Sequence, residues 1–245
     1  MASLRGLNTR RQALRESDGA RLTSELEALK RSLQVFITNS DELLSFFGSY
    51  SGDMEKQLQL LSVENREGFD RFLDEVDRLL HNVLAAAASL KNHSMRVRDK
   101  YLLPQPGDGL REEYDRLRTE VFDESLAAQL VPGLRNIVTH RRLPRLLGHT
   151  AIVPGVSFES KIVFESAELL EWDGWTQPVR ELLQGEEQLG LAEVVSDYRS
   201  AVSDFHNWFV GAVVQRNNVL LGKFEQARKE LAEYAESLFG PSLTD

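Results

Sequence analysis

Apolar residues recur along most of this chain at the alternating three- and four-residue spacing of an α-helix, and no other feature restricts the fold as strongly. Leu22, Leu26, Leu29, Leu33 and Phe36 form one stripe, whose phase runs on toward Phe47. The polar, glycine-bearing run GSYSGD at 48–53 breaks it. Phe69, Phe72, Leu73, Val76, Leu79, Leu80, Val83, Leu84 and Ala87 mark a second helix over 63–100. Its alanine run, 85–88, favours helix and admits a close neighbour. The loop LPQPGDG at 103–109 ends it, and a shorter helical segment starts at Leu110.

Further along, Leu126, Leu130, Leu134, Ile137 and Val138 share a face. Pro132 and Gly133 predict a kink or a fresh helix start within that segment, and Pro144 predicts its end at Leu143. The exception to helix lies at 150–172. Ala151-Ile152-Val153, a Pro154-Gly155 turn and the alternation of Val156, Phe158 and Ile162 to Phe164 read as a β-hairpin. Thr176 caps a helix from Gln177, and a single last helix carries Tyr198, Val202, Phe205, Phe209, Val213, Leu220, Phe224, Ala227, Leu231, Tyr234 and Leu238. The expected fold is all-α: an up-and-down bundle of long helices with a small β-hairpin insertion at about 149–172. Residues 21–245 form one domain in this reading. Residues 1–20, with Arg5, Arg10, Arg11 and Arg15 and few apolar side chains, read as a disordered basic arm.

Composition removes several function classes. The chain has no cysteine, which excludes disulfides, thiolate catalysis and Cys-based metal sites. There is no phosphate-binding GxxxxGK[ST] loop, no HExxH, no EF-hand loop and no GxSxG elbow; in the run 48–52 Tyr50 stands where the serine would be. A di-iron bundle needs Glu three residues before His, and none of the five histidines has one. No metal and no cofactor is expected. The N-terminus lacks a secretory apolar run and no segment is apolar enough to span a bilayer, so the expectation is a cytoplasmic protein without a membrane partner.

The chemistry concentrates in residues 134–144, LRNIVTHRRLP. The chain carries a net charge of -9, yet residues 125–158 hold no Asp or Glu and four arginines: Arg135, Arg141, Arg142 and Arg145. An acidic protein that keeps its carboxylates away from one Arg/His cluster is suited to holding an anion there. On a helix Arg135 and His140 lie about 140° and roughly 7.5 Å apart, able to flank a groove but not to sit side by side. Asn136, four residues before His140, shares its face and suits a hydrogen bond orienting the imidazole. Cleavage of RNA by its own 2′-hydroxyl needs a base, an acid and fixed positive charge at phosphorus. Histidine does either proton task near neutral pH, and arginine remains charged. One copy supplies one of each; a two-fold dimer with facing motif helices supplies two. The same cations also suit the close of a helix C-terminus, where the dipole favours them.

Arg135, Asn136 and His140, late in an all-helical chain and followed by an HRxLP tail, resemble the Arg-x4-6-His signature of the HEPN superfamily, in which a polar residue follows the arginine. That resemblance implies a homodimeric, metal-independent endoribonuclease, of a kind often found as a toxin or antiviral effector. Arg135 and His140 would be catalytic and Asn136 supporting, with Arg141, Arg142 and Arg145 on the RNA backbone. It also implies an antitoxin or defence-system partner. Members paired with a nucleotidyltransferase antitoxin often carry a modified tyrosine two residues after the histidine; here Arg142 stands there. The competing reading is a non-catalytic helical interaction or sensor module whose cations bind a protein partner, a nucleotide or another anion.

Other residues invite structural readings. Arg216, on the apolar stripe between Val213 and Leu220, suits a buried ion pair ahead of a second phosphate contact. His206 reads as structural, and His81, four after Asp77, as half of an intrahelical pair. His149 lies in the acid-free island with nothing to orient it. Trp172, Trp175 and Trp208 read as core or interface anchors.

Overall fold

A computed structural model describes residues 3–51, 54–103, 109–141, 144–153 and 157–240. The long amphipathic stripes become α2 (Asp18–Ser51), α4 (Arg66–Val97), α6 (Leu126–His140) and α9 (Leu191–Arg216), whose apolar faces share one core. Phe36 and Leu43 from α2, Leu79, Leu80 and Leu90 from α4, Leu134 from α6 and Phe209 from α9 are among its fully enclosed side chains. α2 and α4 run antiparallel, as two ion pairs between them require: Glu42 with Arg78 at 3.5 Å and Glu25 with Arg96 at 2.8 Å. α9 joins α2 through the Asp41–Arg199 pair and the edge-on contact of Phe36 with Tyr198. Shorter pieces close the ends: α3 (Met54–Leu61), α5 (Leu110–Arg118), the single turn α7 (Ser166–Leu169) and α8 (Gln177–Gly185). The fold is all-α with a small β element.

That element differs in extent from the expected hairpin. β1 (Leu146–Val153) pairs antiparallel with β2 (Ser157–Glu165), Leu146 opposite Phe164, and the chain then turns into α7 rather than staying extended to Trp172. A third strand, β3 (Gln188–Gly190), adds to β2 after α8, which makes a three-stranded sheet. Leu146, Val163 and Phe164 are buried, so the sheet is fastened to the bundle.

Two larger corrections concern the termini. Residues 4–16 are not a disordered arm but α1 (Leu4–Glu16), opened by the Ser3 hydroxyl, which accepts the Gly6 N–H. α1 lies against α10 (Asn218–Phe239): the Tyr234 hydroxyl accepts from the Ser3 N–H at 2.9 Å and the Arg10 guanidinium covers the Tyr234 ring at 4.6 Å. Leu7 is only 2% exposed. The single last helix is in fact two, α9 and α10, split at Asn217. The Asn217 side chain donates to the Tyr101 carbonyl at 2.9 Å and the Val213 carbonyl at 2.8 Å, the side-chain-to-backbone competition that ends helices. Arg216 therefore closes α9 instead of lying mid-stripe. No residue of α10 is fully buried.

Two histidine readings separate. His206 is structural, 3% exposed, with Nδ1 on the Val202 carbonyl and Nε2 by the Ser94 hydroxyl, each at 2.8 Å. His81 is exposed, and no ion pair joins it to Asp77, whose Oδ1 is buried without a hydrogen-bond partner.

Candidate functional site

α6 carries the motif. The Ser125 hydroxyl opens the helix by accepting the Ala128 N–H at 3.3 Å. Leu130, Val131, Leu134 and Ile137 bury its inner face against α4 and α9. That packing carries the helix on through Pro132, an exposed residue, without a break, so the fresh helix start does not occur. Gly133 instead marks a close approach: any Cβ at this position would overlap the Trp175 ring. Trp175 is held there by its Nε1–H, which donates to the Leu169 carbonyl at 2.6 Å, and Trp172 packs edge-on against it at 4.7 Å. The tryptophan readings as anchors hold for this pair.

The helix ends at His140, three residues before the expected stop, with the Arg141 N–H on the Ile137 carbonyl at 2.8 Å. On its outer side Arg135 and Asn136 are half-buried and His140 is exposed. Arg135 Nη1 donates to Asn136 Oδ1 at 3.2 Å. This corrects the role expected of Asn136: its carboxamide oxygen steadies the guanidinium, not the imidazole. His140 has no hydrogen-bond partner among the described residues.

The flanking arginines divide. Arg142, and with it Leu143, lies outside the described residues. Arg141 shares a face with Ile137 and enters a cleft of about 190 Å³ whose walls include Pro144, Glu168, Glu171 and Trp172. There its Nη1 donates to the Glu171 carbonyl at 3.2 Å, across 30 residues of sequence. The Arg145 backbone N–H donates to Glu168 Oε2 at 3.0 Å, while its side chain is exposed. The island that is free of acids in sequence is thus not free of them in space, because the α7 turn brings Glu168 and Glu171 to it. At about 100° per residue, Arg141 and His140 leave α6 in different directions. Arg135, Asn136 and His140 remain on the solvent side, Arg135 and His140 at its opposite flanks, and Arg141 turns toward α7. His149 lies on β1, its side chain outside the description. Sequence reasoning missed Glu168, Glu171 and the Trp172 wall; no local pattern in SAELLEW points to α6.

No three His, Asp or Glu side chains among the described residues are placed to hold a metal. None of the described helices is long and apolar enough to cross a membrane. Comparison with known protein families, with curated proteins and with solved structures finds no match to this chain.

Proposed function

We propose that this protein is a metal-independent endoribonuclease of the HEPN type, working in the cytoplasm as a homodimer whose cleft pools two copies of Arg135, Asn136 and His140. The observation that carries the reading is the outward placement of these three side chains on a helix whose opposite face is core. A structural cation at a helix end has no need of a half-buried arginine braced by its neighbour's carboxamide. In the proposed step one imidazole takes the proton of the ribose 2′-hydroxyl and that oxygen attacks phosphorus. The second, protonated imidazole gives its proton to the leaving 5′-oxygen. The products are a 2′,3′-cyclic phosphate and a 5′-hydroxyl. Arg135 neutralises the charge that builds on the non-bridging oxygens. The exposed Arg145, with Arg142, would track the RNA backbone; Arg141, whose guanidinium donates to the Glu171 main-chain carbonyl, contributes less. A toxin or antiviral role, restrained by a partner protein, fits such an activity.

Purified protein incubated with total RNA and EDTA tests this. Cleavage is expected to survive chelation, to yield cyclic phosphate termini, and to fall by about 10²-fold or more in His140→Ala and in Arg135→Ala. A second reading, a non-catalytic module that binds an anion or a protein partner, is favoured by one observation: no hydrogen bond among the described residues orients the His140 ring. RNA left intact by the wild type would support that module and overturn the nuclease.

A further inference from the structure

An aromatic-walled cavity away from α6 has no part in the reading above. It holds about 120 Å³ and lies where the end of α2, α3 and the start of α4 meet β2 and the start of α9. Phe47, Tyr50, Phe69 and Phe72 supply its aromatic walls. The Tyr50 and Phe72 rings meet edge-on at 4.6 Å, so the walls are braced against each other. Gln57 also lines it and is 2% exposed. Its Nε2 donates to the Tyr50 carbonyl at 2.8 Å, which fixes which end of the amide is which. The other end, Oε1, is buried and accepts no hydrogen bond among the described residues. On the rim the Lys161 ammonium pairs with the Glu193 carboxylate at 3.0 Å, and both are partly exposed. Buried amide oxygens rarely go without a donor. Here such an oxygen belongs to a residue that lines an aromatic-walled cavity.

From this coincidence we propose that the cavity binds a small planar aromatic molecule bearing an N–H or O–H donor, of the size of a single ring such as a pyrimidine base or a phenol, with the donor on Gln57 Oε1. The aromatic walls take the ring by edge and face contacts, and the cavity is about the size that accepts benzene in an apolar protein site. The unmet acceptor selects ligands that carry a donor, since a ring without one leaves that oxygen unpaired. The rim ion pair gives the open side a polar boundary for whatever substituent the ring carries. This site is independent of the motif on α6, so its failure leaves the nuclease reading untouched.

Phenol and benzene are the probes, with binding read by calorimetry and by ligand-dependent shifts of the Phe and Tyr ring resonances. Phenol is expected to bind saturably and at least 10-fold tighter than benzene to the wild type. In Gln57→Leu that preference should disappear while benzene binding persists. Ala192→Met, which fills the cavity from α9, should abolish both, and serves if Gln57→Leu does not fold. No saturable binding of either probe would mean that the cavity holds water only and would overturn the proposal. So would a phenol preference that survives Gln57→Leu.

Discussion

His206 shows how one side chain ties the fold to pH. The Val202 carbonyl can only accept, so Nδ1 keeps the proton and neutral Nε2 faces the Ser94 hydroxyl. Burial beside the Phe205 and Phe209 rings lowers its pKa below the usual 6.5, against the smaller opposing pull of the Val202 carbonyl. The unfolded chain therefore binds a proton more readily than the folded one. The stability that neutral His206 confers is complete above the unfolded value and drains away as pH falls from there toward the lower folded value. Urea midpoints measured from about pH 7 down to about pH 5 should fall more steeply in the wild type than in His206→Gln. Parallel curves would show that this imidazole is not the group that titrates. The residue type and its helical phase were readable from sequence; the partner on α4, 112 residues away, was not.

At the scale of elements, what sequence patterning conveys is the apolar face, and what it conceals is which small residue admits a neighbour. The stripes of α2 and α4 are legible because each buries enough of its own apolar side chains to declare its period. Pro132-Gly133 reads as a break because local propensity is all that sequence offers, whereas the Trp175 ring, some forty residues on, turns the glycine into a contact. Gly133→Ala should then destabilise by about 1–3 kcal/mol through overpacking, seen as a lower urea midpoint, although alanine is the better helix former. A stabilised variant would mean that the indole can move aside. α1 was hidden for the opposite reason. Its own apolar content is thin, and its order comes from Tyr234 on α10. In Tyr234→Ala, amide exchange across residues 4–16 should quicken to near that of free chain while the bundle's melting changes little. Protection that stays unchanged would place the hold on Leu7 instead. The split at Asn217 has no signature in the apolar pattern, whose period passes through it in phase; only the amide's reach to two carbonyls ends the helix.

For the whole molecule the question is whether one copy is enough. The chain gives the proposed site a single imidazole and a single half-buried guanidinium, while the chemistry needs a proton taken and a proton given in one turnover. The types of these residues and their adjacency on one helix were legible in LRNIVTHRRLP. That the Glu171 carbonyl would turn Arg141 away was not, because it depends on a chain reversal through the sheet. If acid and base come from two copies across a symmetry axis, only dimers with two intact histidines work. Mixing wild type with His140→Ala at constant total protein, after subunit exchange, should then lower activity as the square of the wild-type fraction. An equal mixture would retain about a quarter of the original rate, because random pairing leaves about one dimer in four wholly wild type. A linear fall, to about half, would mean that each copy cuts RNA alone, with a water or another side chain in the second proton's path. The two outcomes differ about two-fold at the midpoint, and the comparison needs no knowledge of the natural RNA, only a substrate that the wild type cleaves.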